Sequence, residues 1–376
     1  MESSTNPGGW LLGWQLGVEE EFFVVDTNTL HVAPLAPSII DALPPHMRQF
    51  IKLELTPLQV ELATPICRSV EELGVAIAEL RQYAVDAAAK LGCRLLASGT
   101  PPLDRAGPPP ISVGERYAVL HRRFGNLINE QGTCGTHVHV AVPNLAAAAR
   151  ACSYIRPWLP ALACLTANSP FYEGTDTGYA SWRTVLLSRW PTITPPPPMN
   201  SDLDYALALE SLNAHGVAFN PQTVYWWVRP APHYSTVEIR IADSQQDVSA
   251  VLLYASIAAA LVDAALAPGA TNVPVTLDTD ELRLEIWRAA RYGTETILRS
   301  PVSGLRVGFW QLFDELIATL APYFAATADA EAIFGLISAM RGAANGAIRR
   351  RVARNGRYLS DIAGEFAIDG RKRTPH

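Results

Sequence analysis

Residues 17–25 read GVEEEFFVV, three consecutive carboxylates running straight into four apolar residues that favour a strand. An extended chain alternates its side chains between two faces. Glu19, Glu21 and Phe23 therefore share one face, and Glu20, Phe22 and Val24 share the other. Parallel carboxylates two residues apart repel and raise each other's pKa unless a cation lies between them. A chain that begins its first strand this way must either keep the charge in water or build a cation site around it. A solvated strand end is the ordinary fate of glutamate, and half of a metal site is the sharper reading. One segment cannot decide between them.

Three further stretches carry acidic or imidazole groups at the spacing of an extended chain. FIKLELTPLQVELATP holds Glu54 and Glu61, GTHVHV holds His137 and His139, and STVEIRIADSQ holds Glu238 and Arg240. In QVELAT, Val60 and Leu62 take one face and Glu61 the other. In VEIRIA, Val237, Ile239 and Ile241 oppose Glu238, Arg240 and Ala242. Each piece has an ordinary rival. Isolated glutamates are usually solvated, which is the expectation for Glu20 and Glu72. A single histidine is more often a satisfied core or surface residue than a ligand, and a Glu238–Arg240 pair on one face is worth little by itself. Four strands, each with one polar face, together describe a sheet with a charged pocket on one side.

Several carboxylates with imidazole and no thiolate suit a hard cation, magnesium or manganese. Such ions commonly also contact phosphates, yet no GxxxxGK[ST] or GxGxxG follows a strand here. Phosphate recognition would then rest on metal and arginine. The candidates are Arg183 and Arg189 in ASWRTVLLSRWP, Arg229 in WWVRP, and Arg240. Lysine occurs only at positions 52, 90 and 372. For the aromatic residues Tyr172, Trp182, Tyr225, Trp226 and Trp227 packing is the default, and Trp226 or Trp227 is the better candidate for the pocket because the two must point opposite ways in a strand.

The 376 residues suffice for one large or two ordinary domains, and 49% apolar residues support a sizeable core. A net charge of −6 argues against nucleic acid or an anionic membrane as partner. Five scattered cysteines without a CxxC pair fit reduced thiols, the start of the chain lacks a signal-peptide pattern, and the apolar run 250–267 contains Asp263 and reads as a buried helix. A cytoplasmic protein is expected. Strands are expected over 17–26, within 50–65, and over 93–98, 135–142, 224–228 and 236–242. Helices are expected over 70–91, 115–127, 145–167 (interrupted near Pro157 and Pro160), 250–267, and from 280 to about 363. The Pro-rich stretch TITPPPPMNS, residues 192–201, reads as a loop or lid. Strands come early and helices late, without βαβα alternation, which favours an antiparallel-rich α+β fold.

The segments GVEEEFFVVD, ELTPLQVELATP, GTHVHV, SPFYEGTDTGYASWRTVLLSRWP and VYWWVRPAPHYSTVEIRIADSQ, with EIWRAARYG and GAIRRRVARNGRYLSDIA further on, resemble the type 2 glutamate–cysteine ligase family of carboxylate–amine ligases. The resemblance runs from about residue 13 to about 365. It implies a glutamine-synthetase-like fold, a curved and mainly antiparallel sheet forming a funnel with helices outside. One catalytic domain over 1–376 is expected, with flexible ends at 1–12 and 366–376.

The resemblance further implies ATP and Mg²⁺, or Mn²⁺, in the funnel, held by Glu19, Glu21, Glu54, Glu61, His137 and Glu238. Arg240 is implied as a phosphate-contacting catalytic residue. Arg229 and Arg189 are expected to assist with nucleotide phosphates, Arg183 to act in catalysis and carboxylate recognition, and His139 and Trp226 to contact substrate. Glu20 is expected to face away and to be dispensable. The implied reaction is ATP-dependent amide formation through an acyl phosphate, with γ-glutamyl transfer to cysteine or another amine and release of ADP and phosphate. The partners are small carboxylates and amines, and whether the chain forms a homo-oligomer is left open. Two other readings are a metal-dependent hydrolase built on His137 and His139, and a non-catalytic ATP-binding relative.

Overall fold

β1 spans Leu16–Asp26 and is the strand on which the sheet is organised. In the computed structural model the described residues are 13–103, 107, 110–111, 115–129, 132–231, 233–269, 277–342 and 344–368. The chain continues through β2 (Ile51–Leu53), β3 (Gln59–Ala63), helix α1 (Val70–Lys90) and β4 (Cys93–Leu96). It then forms β5 (Gly135–Ala141), α2 (Leu145–Ile155), α3 (Leu159–Thr166), α4 (Trp182–Leu187), β6 (Val228–Pro230), β7 (Thr236–Asp243) and α5 (Val248–Leu266). Among the described residues the main sheet has seven strands in the order β2-β3-β1-β5-β7-β6, with β4 also on β1. Every pairing in it is antiparallel. That is the expected α+β architecture, not the parallel barrel a strand-end hydrolase site would use.

The apolar halves of the alternating strands lie under the helices. Val18, Val138, Val140, Val237, Ile239 and Ile241 share one core with Leu73 and Ile77 of α1 and with much of α2, α3 and α5. Phe22, Val60 and Leu62 form a second core with Leu80, Ala84 and Ala88 of α1. Among the described residues α5 is the one helix long and apolar enough to cross a bilayer, and 83% of its most apolar window is buried inside the protein. It is a core helix, as its Asp263 suggested; that carboxylate accepts a 2.8 Å hydrogen bond from Trp14 Nε1.

The expected helix over 145–167 divides where its prolines fall, with a 3₁₀ turn at Arg156–Trp158 between α2 and α3. The C-terminal helical region is interrupted by a hairpin, Ile297–Arg299 with Arg306–Gly308. Residues 192–201 are packed down rather than poised as a flap. Thr192, Ile193 and Met199 are buried, Pro196 O accepts from Arg156 Nε at 3.0 Å, and Met199 N donates to Ser153 Oγ at 2.6 Å. Of the two ends expected to be flexible, residues 1–12 and 369–376 lie outside the described residues. Phe366 and Ile368 are buried, and Ile368 N donates to Leu95 O at 2.9 Å, so the start of the tail is docked on β4.

Glu20 corrects one expectation. It faces away from the polar side, but it is only 2% exposed and lies beneath α1. Arg81 of that helix meets it with two hydrogen bonds, Nε to Oε2 at 3.0 Å and Nη2 to Oε1 at 2.5 Å, and also donates to Gln245 O and Gln246 O. The pair ties α1, β1 and the start of α5 together. Glu72, by contrast, stays exposed, accepting from Arg68 N at the head of α1. Removing one partner of a buried ion pair strands the other charge, so Glu20→Ala should cost about 3–5 kcal/mol of stability. Denaturant unfolding checks this, and wild-type stability in the variant would refute it.

Candidate active site

Strand register converts the sequence pattern into rows across the polar face. In one row Lys52 lies opposite Glu61, and Glu61 opposite Glu21. In the next, Glu19 lies opposite His137. In the third, Gly17 lies opposite His139, His139 opposite Glu238, and Glu238 opposite Arg229. Residues directly opposite in an antiparallel pair project to the same side. These side chains, with Glu54, Arg183 and Arg240, line a single cavity of about 420 Å³.

Gly135 ends the first row. Its N–H donates to Glu21 Oε2 at 2.6 Å, and a Cβ there would lie 2.3 Å from Arg183 Nη2. The absent side chain is what lets the Arg183 guanidinium reach the row. Arg183 comes from α4, whose start is held by Asp243. That carboxylate accepts from Asn168 N (2.7 Å), Ser169 Oγ (2.7 Å) and Ser181 Oγ (2.8 Å), while Arg183 N donates to Ser169 Oγ (3.1 Å). Arg183 then donates to the carbonyls of Ile241 and Arg240. β7 carries a register irregularity opposite Thr136–Val138, so simple alternation does not hold through Arg240.

The charges fall into two environments. Glu21, Glu54 and Glu61 offer oxygens all within 4.8 Å of one another. Burial, and then the charge of Glu54, pushes Glu21 up to about 8 against the pull of Arg183. Burial, followed by Glu19, Glu54 and Glu21, raises Glu61 well above the usual range. Glu19, His139 and Glu238 form a second group of ligand atoms within 4.8 Å. Burial opposes the charge of Glu238, but Arg240 and Arg229 hold its pKa far down; Arg229 Nε lies 2.8 Å from Oε2, and Arg240 Nη1 bonds Oε1. Burial likewise disfavours charge on Glu19, but the hydrogen-bonded His137 and the adjacent His139 ring hold it low.

His137 bridges these environments. Its Nδ1 is 3.2 Å from Glu19 Oε2 and its Nε2 is 4.0 Å from Glu21 Oε1. Burial, and then Arg240, pushes its pKa down to about 4. His139 Nδ1 contacts Thr236 Oγ1 at 3.1 Å, and its Nε2 is 3.5 Å from Glu19 Oε1. The Nε2 atoms of both histidines and Arg183 Nε are buried without a hydrogen-bond partner among the described residues. Unsatisfied buried polar atoms are costly and rare, and their concentration here suits a cavity meant to hold a polar ligand. The donor set fits hard divalent cations: carboxylates and imidazoles with no thiolate.

Two expected residues are elsewhere. Trp226 is buried in the core, edge-on to Tyr205 at 6.3 Å, and it is Trp227 and Tyr225 that line the cavity. Arg229 already carried the signal, because the residue two before it in an extended chain shares its side. Arg189 lies exposed beyond the end of α4, with Nε on Leu186 O at 3.1 Å, and is not among the cavity's lining residues. Sequence reading missed Lys52, Gly135 and the Asp243 network.

The chain is similar to known ligases at both levels of comparison. The model of glutamate-cysteine ligase family 2 matches residues 15–342. A protein provisionally named glutamate–cysteine ligase 2-1 in Saccharopolyspora erythraea is 38% identical over 362 residues, 96% of this chain and 95% of that protein. Among solved structures, the glutamate–cysteine ligase of Francisella tularensis in complex with AMP superposes with a TM-score of 0.69 at 11% identity, covering 95% of this chain and 88% of that one. A bifunctional glutathione synthetase from Pasteurella multocida gives 0.68 at 14%, covering 96% of this chain and 53% of that one. The structural likenesses speak to the fold alone. The match across residues 15–342 and the 38% identity over nearly the whole chain make it a member of glutamate-cysteine ligase family 2, an ATP-dependent carboxylate–amine ligase.

Proposed function

We propose that the chain joins the γ-carboxylate of L-glutamate, or of a closely similar acid, to the amino group of cysteine or another amine. The observation that carries this reading is the pairing of two ligand-atom clusters with the Arg229–Glu238–Arg240 arrangement in one cavity. Glu21, Glu54 and Glu61 would hold one divalent cation, and Glu19 and Glu238 with His139 or His137 another. Magnesium bound there, with manganese as the alternative, would neutralise charge on the phosphoryl group in transfer.

The protein's own share is positioning. Glu238 holds two guanidinium groups in place before substrate arrives, so Arg229 and Arg240 are ready for the phosphate oxygens without rearrangement. Arg183 presents an unpartnered Nε to a substrate carboxylate. A carboxylate oxygen attacks the γ-phosphorus, the bond to the β-phosphate oxygen breaks, and ADP leaves. The amine then attacks the acyl carbon, the carbon–oxygen bond to phosphate breaks, and a proton is released with phosphate. Neither step needs a protein nucleophile. The wall of Leu187, Trp190, Ile193 and Trp227 would shield the acyl phosphate from water. The reaction is assigned to the cytoplasm, where ATP is available and the five buried, unpaired cysteines stay reduced.

Incubation with Mg·ATP and a matrix of carboxylates and amines should release ADP only when both substrates are present, with the amide visible by mass. Release with neither, or none with any pair, would defeat the proposal. Glu21→Gln or Glu61→Gln should lower kcat/KM by about 10²–10⁴, whereas Arg189→Ala should leave it within about twofold. Equal losses in all three variants would contradict the assignment. The raised carboxyls also set a pH dependence. Glu21 titrates at about 8 instead of 4.5, so across that interval the metal-free fold binds a proton that the unfolded chain has released. Stability in EDTA should therefore fall between pH 5 and 8 on this account. Magnesium should raise Tm more at pH 8 than at pH 6, because it must displace those protons. A magnesium shift independent of pH would refute it.

A further inference from the structure

Lys52 is the exposed end of the most acidic row of the cavity. It sits on edge strand β2, directly opposite Glu61, with Glu21 next across the sheet. Residues 52 and 54 share a face in an extended strand, and both line the cavity. Its neighbours are therefore the carboxylates whose charge is least compensated. Even so, among the described residues the Lys52 side chain makes no hydrogen bond or ion pair.

The other cationic side chains lining the cavity are already engaged. Arg229 and Arg240 are both bound to Glu238, and Arg183 is buried against two backbone carbonyls. Their position differs too. Lys52 is on β2 and Arg229 on β6, the two ends of the strand order. Five strand intervals separate them, about 24 Å measured along the sheet. Lys52 and the Arg229–Arg240 pair thus approach the cavity from opposite ends of the strand order.

We infer that Lys52 binds the carboxylate of an amino-acid substrate that is not consumed in the reaction. This rests on the ligase reading above. An amino acid entering this cavity brings, besides any reacting carboxylate, a second one that needs a cation of its own. With Arg183 turned to the reacting carboxylate and Arg229 and Arg240 to phosphate, the unpaired ammonium of Lys52 at the mouth is left for the carboxylate that does not react. Two sources share this chemistry: the α-carboxylate of the donor and the carboxylate of an amino-acid acceptor. Lys52 is then a specificity residue, selecting substrates that keep the carboxylate over their decarboxylated analogues.

The test compares wild type, Lys52→Met and Lys52→Arg with L-glutamate or 4-aminobutyrate as donor and L-cysteine or cysteamine as acceptor. ADP release gives KM for each, and calorimetric binding of the same four compounds in the presence of magnesium and ADP gives a readout without turnover. K52M should weaken one carboxylate-bearing compound by about tenfold, the effect of losing a charge-assisted hydrogen bond at a partly exposed site. The decarboxylated counterpart should be unaffected, and K52R should recover most of the loss. An effect on glutamate but not on 4-aminobutyrate identifies the donor; an effect on cysteine but not on cysteamine identifies the acceptor. Unchanged values for both amino acids, or a change carried by KM for ATP, overturn the inference. If wild type releases no ADP with any pair, the ligase reading fails. The role of Lys52 is then decided by binding alone, standing if K52M loses a carboxylate-bearing compound and falling if it does not.

Discussion

Glu21, Glu54 and Glu61 bring ligand oxygens within 4.8 Å of one another on a sheet whose other face is closed by helices. Their charge cannot be dissipated into water from both sides. Burial and mutual repulsion push Glu21 and Glu61 toward the protonated state. Three carboxyls arranged this way disfavour one another's charge, which is why the cation proposed above is placed among them. The neighbouring features follow from the same constraint. Gly135 is bare so that a guanidinium can approach, and Asp243 anchors the helix that delivers it.

The second half of the cavity solves the charge problem differently. Glu238 is deeply buried but stays ionised because two arginines hold both of its oxygens. Glu19 is held by two histidines. One side therefore gathers carboxyls whose charge burial and mutual repulsion suppress, and the other pairs its carboxylates with arginine and histidine before anything binds. That asymmetry suits a ligand that is itself mixed, with phosphates to be neutralised and a carboxylate to be oriented. It also explains how neighbouring carboxyls on one strand, Glu19 and Glu21, can be displaced in opposite directions.

Glu20 shows the same physics serving the fold. Its charge is as deeply buried as that of Glu238, yet it faces the helices and meets a single arginine in a two-bond contact. Two faces of one strand thus carry carboxylates with different tasks, one set open to ligand and one closed by α1. The Arg81 guanidinium also stacks over Phe22 at 5.3 Å, which joins the ion pair to the apolar core.

The period-two pattern by itself determined the four polar strand faces, their acidic and imidazole residues and the antiparallel α+β class, because side-chain alternation is local. Ordered motifs along the chain carried the family. The partners across strands were decided only by tertiary structure, since register depends on residues far apart in sequence. Glu20 looked solvated because Arg81 lies 61 positions away. Arg183 and Arg189 looked alike, but six residues in a helix turn through about 600° and leave them on different sides. Arg189 also falls beyond the end of α4. Trp227 shares a side with Arg229 by alternation, and the pairing of Arg229 with Glu238 is what turns that side to the cavity. Lys52 carried no signal in the sequence, and its place opposite Glu61 is a consequence of register. Composition and alternation specify which groups a chain can present, and long-range pairing decides which of them share a cavity.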